Sequence, residues 1–230
     1  MLSEGKFSPI TTTIGFIEAK PLEVATAFYD WQAPLFRKTT SPLEIEALDS
    51  IIFEEAMGKL SLLTSRASRW IFLPAGSSYT AMFSNCARGL DPSPISPLAV
   101  KRCGTKGFRV TATKRSHRGK KYSSRIVEAF SPDSSEPFNC ERSIYCANDG
   151  GKWKFGSTGN PYSFENLVKY ELQPVKERFT IGDLKEFMMH FQIDVDSESF
   201  YGGDGQNSYQ VFMKGELLPN MREYFLSEIT

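Results

Sequence analysis

Histidine and cysteine, the side chains that most often bind metals or act as nucleophiles, are scarce in this sequence. Its 230 residues include two histidines, His117 and His190, and four cysteines, none of which forms a C-x-x-C pair. Structural zinc sites usually take about four such ligands at close spacing, so we predict no zinc site. We interpret the cysteines as reduced thiols, and the alternative is a disulfide between Cys140 and Cys146 across a hairpin.

The motifs that identify common enzyme classes are absent as well. The chain contains no G-x-S-x-G nucleophile elbow and no G-x-x-x-x-G-K-[ST] phosphate loop. Asp194, Asp196 and Glu198 match the first positions of a calcium loop, but Ser199 stands where that loop requires glycine, and Gly205 where it requires glutamate. We therefore expect neither a cofactor nor a resident metal.

Long apolar runs are also missing. The N-terminal residues lack a basic region followed by an apolar run, so we expect no secretory signal. The longest nearly apolar stretches, such as 70–75, are far shorter than the roughly 20 residues that a membrane-spanning helix needs. We therefore expect a cytoplasmic protein that does not associate with membranes.

The residues that are present predict a globular α+β protein. Hydrophobic residues make up 40% of the chain and aromatic residues 13%, enough to form a packed core. Apolar patterning predicts helices near both ends of the chain, at 21–32 and at 180–191, the second capped by Thr180. Predicted strands lie at 10–17, 70–73, 79–83, 108–113, 124–130, 141–147, 152–155 and 208–213.

Strands and helices do not alternate along the chain, so a parallel doubly wound sheet is not expected. We predict an α+β fold whose central, mostly antiparallel sheet has helices toward the N- and C-terminal ends. Residues 1–230 are taken as one domain, with sub-lobes at about 1–66 and 67–230 as the alternative division.

Charge is distributed unevenly, although the formal net charge is zero. From residue 92 to residue 127 there are ten Lys and Arg side chains and no acidic residue, and 114–121 within this window is predicted to be a basic loop. Residues 128–230 carry 9 basic and 17 acidic side chains. The basic window either contacts phosphates or faces the acidic C-terminal part of the same molecule.

Two stretches resemble the pattern of a group of bacterial proteins of unknown mechanism. They are WIFLPAGSSYTAMFSN at 70–85, followed by GLD at 89–91, and GGKWKFGSTGNPYSFE at 150–165, followed by RFT at 178–180. The group's pattern is G-W-T-A-Y-F-x-N with G-x-D, and G-x-W-x-F-x-x-x-G-x-P-x-x-F-E with R-F-T. Ser78 and Tyr79 replace its Gly and Trp, and Ser84 stands where Asp is common. The match covers most of 70–200, and its motifs consist of turn residues and strand aromatics.

This group is similar to the immunity proteins of polymorphic toxin systems, such as those encoded beside Rhs toxins. The resemblance implies a protein without an active site, which binds one cognate toxin domain tightly and covers its active or substrate-binding surface. The candidate contact residues form two charged clusters, and which of them is used depends on the toxin. A basic toxin would contact the acidic cluster Asp194, Asp196, Glu198 and Asp204, and an acidic or nucleotide-using toxin the basic cluster Arg115, Arg118, Lys120 and Lys121.

Two other functions stay open as alternatives. A nucleic-acid-binding protein would use the basic segment 101–125, but only Phe108 and Tyr122 supply aromatic rings there, so nucleic acid is not the expected partner. An enzyme with a dispersed site would join His117 or His190 to a cysteine or a carboxylate through the fold.

Overall fold

The computed structural model describes residues 5–37, 39, 41–117, 120–202 and 205–229, with the backbone alone for 115–117 and 120–121. Over these residues the helices are α1 (Pro21–Phe36), α2 (Phe53–Lys59) and α3 (Ile181–Met189), and a π-helix spans Pro97–Cys103. The strands are β1 (Thr13–Ile17), β2 (Leu43–Leu48), β3 (Leu63–Thr64), β4 (Arg69–Ala75), β5 (Tyr79–Ser84), β6 (Gly107–His117), β7 (Lys120–Phe130), β8 (Cys140–Asp149), β9 (Lys154–Thr158), β10 (Ser208–Met213) and β11 (Glu223–Tyr224).

One sheet of nine strands organises the fold. Its order is β2-β10-β4-β5-β1-β6-β7-β8-β9, and every neighbouring pair runs antiparallel. Strands β3 and β11 form a separate two-stranded sheet. The predicted α+β class with an antiparallel sheet is confirmed. Helices α1 and α2 precede most of the strands of the sheet, and α3 lies between β9 and β10 in the sequence.

The sheet separates two hydrophobic cores. The core between one face and the helices α2 and α3 includes Phe16 and Phe83 of the sheet and Phe187 of α3, which are at most 4% exposed. The other face packs against α1 and the π-helix and includes Phe28 and Phe72. The central strand β1 is buried along its whole length. Because β4 is also covered on both faces, its sequence is a continuous apolar run rather than an alternating one.

Most predicted elements are confirmed, with three differences. Residues Ile10–Thr12 form a 3-10 helix before β1 instead of extending the strand. Strand β2 was not predicted, because it is an edge strand whose middle residues, Ile45 among them, are exposed and whose sequence alternates with glutamates. The predicted basic loop at 114–121 is wrong: its described residues belong to β6 and β7.

A buried ion pair fastens the segment after β9 onto the sheet. Arg142 on β8 donates to both carboxylate oxygens of Glu165, at 2.9 and 2.5 Å, and both side chains are 2% exposed. The second guanidinium amine donates to the carbonyls of Thr158 and Gly159, at 3.0 and 2.9 Å. Glu165 also accepts from the hydroxyl of Tyr170, at 2.7 Å. Each charge is thus paired and hydrogen-bonded, as a buried ion requires.

Gly159 lets the chain pass closely over β8 at this point. Its φ of +79° lies in the left-handed region, and a Cβ atom there would come within 1.9 Å of the carbonyl oxygen of Glu141. Only glycine fits both constraints. The G-x-P-x-x-F-E part of the second motif, at 159–165, therefore encodes the turn and the carboxylate of this ion pair.

Asn85, at the end of the first motif, has a similar structural role. Its side-chain oxygen accepts from the backbone N–H groups of Ser68 and Arg69, at 2.9 and 3.0 Å. Its amide donates to the carbonyl of Leu62 at 3.1 Å and to the hydroxyl of Ser68 at 3.0 Å. This single 2%-exposed side chain holds the turn between β3 and β4.

Removing the charge of Glu165 tests the ion pair. The Glu165→Gln variant leaves the Arg142 guanidinium buried beside a neutral group, so its free energy of unfolding should fall by about 3–5 kcal/mol. Urea unfolding followed by circular dichroism measures the change. The exposed Glu171 on the same segment provides the matched control, and Glu171→Gln should stay within about 0.5 kcal/mol of wild type. Equal stability of the two variants would contradict the assignment.

The start of α3 allows a prediction about pH. Thr180 caps the helix and exchanges hydrogen bonds with Asp183, whose other oxygen accepts from Lys169 at 2.6 Å. Burial works to raise the pKa of Asp183, but the hydrogen bonds from Lys169 and Thr180 outweigh it, so the pKa is lowered. Ionised Asp183 therefore stabilises the fold above its unfolded-state pKa, and this contribution is lost as the pH falls through the folded-state pKa.

Asp183→Asn should accordingly lower the free energy of unfolding by about 1 kcal/mol at neutral pH, and the difference from wild type should shrink below about pH 4. Urea unfolding of both proteins over a pH series measures it. The exposed Asp133 on a distant loop is the control, for which Asp133→Asn should produce no pH-dependent difference. A constant difference at every pH would show that Asp183 acts without its charge.

Candidate functional site

The β6–β7 hairpin extends past the strands on both sides of it. Strand β6 continues to His117 beyond its last pairing with β1, which lies at Thr111. Strand β7 begins at Lys120, before its first pairing with β8, which lies at Tyr122. The outer end of this hairpin, residues 112–117 and 120–121, is called the basic ribbon below. The backbone edge of β6 that pairs with β1 up to Thr111 therefore has no pairing with β1 along the ribbon.

The ribbon contains the predicted basic cluster. Arg115 pairs in register with Tyr122, and Lys120 and Lys121 pair with His117 and Ser116. Arg118 lies outside the described residues. These positions are in strands and not in a loop. The strands were not predicted here because the sequence from 113 to 121 has no apolar alternation to identify them.

Two other basic residues of the same window are engaged within the fold. Arg109 Nε lies 2.8 Å from Glu128 Oε2 in a close ion pair whose side chains are 18% and 20% exposed. Burial raises the pKa of Glu128 although Arg109 acts to lower it. The guanidinium of Arg125 lies 4.6 Å from the ring centre of Trp153, the tryptophan of the second motif. The window therefore divides into an anchored inner part and the outer ribbon.

The predicted acidic cluster follows α3, and two of its members have local partners. Asp194 accepts from the backbone N–H groups of Asp196 and Ser197, at 3.0 and 3.1 Å, and so closes a turn. Asp196 forms an ion pair with Lys185 of α3. Glu198 is exposed, and Asp204 lies outside the described residues. Among the described residues there is no group of three acidic, histidine or cysteine side chains placed to hold a metal ion.

His190 ends α3, and its ring stacks on that of Phe164 with 3.9 Å between ring centres. It lines a cavity of about 60 Å³ together with Asp183 and Glu186. Pockets that bind substrates or cofactors usually measure about 300–1,000 Å³. Asp183 is already held by Lys169 and Thr180. This histidine and its carboxylate neighbours therefore form a small surface cavity and do not have the dimensions of a substrate pocket.

Beside the ribbon, β6 to β9 expose one face of the sheet, which sequence reasoning did not identify. The side chains of this face are half-buried or exposed. On the opposite face, Val110 and Val127 are at most 1% exposed. Hydroxyl pairs bridge neighbouring strands there, with Thr113 and Ser124 oxygens 2.8 Å apart. Along these strands, buried aliphatic residues alternate in the sequence with Thr, Ser and Tyr residues.

The four cysteines are free thiols, and Cys140 and Cys146 lie on the same strand, so the hairpin disulfide considered from the sequence does not form. Burial raises the pKa of Cys140 to about 11, with a further rise from the charge of Glu128. Burial likewise raises the pKa of Cys103 to about 11, with a contribution from Glu23. Such thiols are poor nucleophiles at neutral pH because the thiolate is the reactive form.

No protein-family model, no curated protein and no solved structure matches this chain. No described helix is long and apolar enough to cross a membrane. The geometry of the described residues is therefore the basis on which a function is proposed.

Thiol alkylation checks the cysteine environments. At pH 8, Cys103 and Cys140 of the folded protein should react with iodoacetamide about a hundredfold more slowly than in the unfolded chain, because their pKa values are about 11. Peptide mass spectrometry over a time course measures each site separately. Reaction at the unfolded rate would show that either thiol is more accessible and more acidic than its surroundings indicate.

Proposed function

We propose that this chain is an immunity-type binding protein, which neutralises a cognate bacterial toxin domain by tight association and occlusion of its active or substrate-binding surface. The observation that supports this most directly is the basic ribbon: a cluster of Lys and Arg positions at the free end of a hairpin whose base belongs to a nine-stranded sheet. The sequence resemblance of 70–91 and 150–180 is consistent with it.

The ribbon suits a partner with an anionic contact surface. No acidic residue occurs from 92 to 127, so β6 has no acidic side chain and β7 has none before Glu128. Complementary charge increases the association rate of two proteins and disfavours partners of the wrong sign. A chain with zero net charge achieves this by concentrating its positive charge in one window. The proposed contact is therefore between the ribbon and an acidic surface of the toxin.

Rigidity also supports a binding role. Ordering a flexible loop on association costs free energy, and a contact element that is already ordered avoids this cost. The ribbon continues two long strands that are hydrogen-bonded to β1 and β8. Arg109 and Arg125 fix the inner part of the hairpin through Glu128 and Trp153.

The direct experiment combines growth and binding. The product of the neighbouring reading frame should arrest growth of the host cell when expressed alone, and co-expression of this chain should restore growth. The two products should purify together. Normal growth without this chain, or no association between the two products, would contradict the proposal.

A charge reversal locates the contact. Lys120→Glu combined with Lys121→Glu should slow association with the toxin domain and weaken its affinity by at least about tenfold, since two attractions become repulsions. Surface plasmon resonance measures both quantities. Lys101→Glu combined with Lys106→Glu makes the same charge change at exposed residues of the same basic window, outside the ribbon, and serves as the control. Equal effects of the two variants would exclude the ribbon as the specific contact.

Nucleic-acid binding is the second candidate, because a basic two-stranded ribbon can enter the major groove of DNA. Fluorescence anisotropy with duplex and single-stranded oligonucleotides separates the two functions. Under the immunity proposal no binding should be seen at physiological salt. Oligonucleotide binding that weakens steeply with salt and is lost in the Lys120→Glu, Lys121→Glu variant would favour the second function instead. Phe108 cannot stack on bases, since it is 1% exposed and packs against Phe191.

A further inference from the structure

A cleft of about 640 Å³ lies beside α1, on the face of the sheet opposite to α3. Its walls come from α1 and from the loops 65–67 and 86–94, and it is called the α1 cleft below. Its volume is within the range of about 300–1,000 Å³ that is usual for pockets that bind small molecules. It is separate from the basic ribbon and does not depend on the proposed function.

The floor of the α1 cleft is aromatic and apolar. Phe28, Trp70 and Leu90 line it and are 2%, 9% and 3% exposed. The rings of Phe28 and Trp70 pack together, with 5.1 Å between their centres. Trp31, one helical turn after Phe28, contributes a half-buried indole to the wall. Such a surface favours a flat apolar group, because ring contacts add to the gain from burying apolar area.

The rim of the α1 cleft is cationic. Arg66 and Arg88 line it and are exposed, and no carboxylate of the described residues lies within ion-pair distance of either guanidinium. The one acidic residue of the lining, Asp91, accepts a hydrogen bond of 2.9 Å from the backbone N–H of Ser93. A guanidinium matches a carboxylate with two parallel hydrogen bonds. The positive charge of this rim is thus available to an anion that enters the cleft.

We propose that the α1 cleft binds a small aromatic carboxylate. The ring of the ligand lies against the half-buried indole of Trp31, above the buried floor that Phe28 and Trp70 form, and its carboxylate pairs with the guanidinium groups at the rim. Neutral aromatic compounds gain only the first of these interactions, and inorganic anions only the second. A molecule that carries both parts should therefore bind more tightly than either part alone.

Tryptophan fluorescence tests this proposal. The chain has three tryptophans, and Trp153 lies on the other side of the sheet, so in a Trp153→Phe background the emission reports on Trp31 and Trp70. Phenylacetate is the probe, phenylacetamide the neutral comparison and inorganic phosphate the anion without a ring. Phenylacetate should change the emission saturably, with an affinity at least about tenfold higher than that of the other two compounds.

Variants separate the two parts of the site. Arg66→Gln combined with Arg88→Gln should reduce the affinity for phenylacetate to that for phenylacetamide, whereas Arg37→Gln, which changes an exposed arginine outside the cleft, should leave it unchanged. Trp31→Ala should weaken both aromatic probes alike. Saturation-transfer NMR of phenylacetate with the unmodified chain provides a measurement that does not depend on the Trp153→Phe background.

Several outcomes would overturn the proposal. One is the absence of saturable binding up to about 10 mM phenylacetate in both measurements. Another is equal affinity for phenylacetate and phenylacetamide. Tighter binding of a tetrapeptide that ends in phenylalanine with a free carboxylate would also reject the small-molecule assignment and would identify the cleft as a site for a protein terminus.

Discussion

The buried pair of Arg142 and Glu165 is the interaction on which one whole side of the molecule depends. It ties the segment after β9 to β8, although the two residues are separated by 23 positions in the sequence. The same segment carries Phe164, whose ring packs against Phe187 of α3, and Lys169, which bonds Asp183 at the start of α3. The position of α3 on the sheet is therefore coupled to a single pair of charges. Because a buried ion without its partner is costly, this coupling also makes alternative placements of the segment unfavourable.

This interaction gives a physical meaning to the motifs on which the family resemblance depends. Gly159 and Glu165 form the turn and the ion pair, Trp153 covers Arg125, and Asn85 holds the β3–β4 turn. Every one of these roles is structural. The motif residues therefore fasten the sheet to the segments beside it. The proposed function consequently depends on the surfaces that lie outside the motifs, above all the basic ribbon.

The parts of the fold that could be predicted are those encoded locally. The capping box of Thr180 and Asp183 and the apolar run of β4 each depend on a few adjacent residues. The edge strand β2, the partner of Arg142 and the α1 cleft depend on residues that are far apart in sequence, such as Trp31 and Arg88. The charged clusters are visible in the sequence, but their surroundings in the fold are not. Only the fold shows that Asp194 and Asp196 are held by neighbours while the basic positions continue a hairpin beyond the sheet.

The positive charge of the ribbon has two physical effects. A strand edge without a neighbour tends to pair with another chain, and lysine or arginine at such an edge prevents this association. The edge of β6 beyond Thr111 has no pairing with β1, and Lys114 and Arg115 lie on this part of the strand. Repulsion between like charges disfavours the pairing of two copies through this edge, and under the proposed function the same charges attract an acidic surface of the toxin.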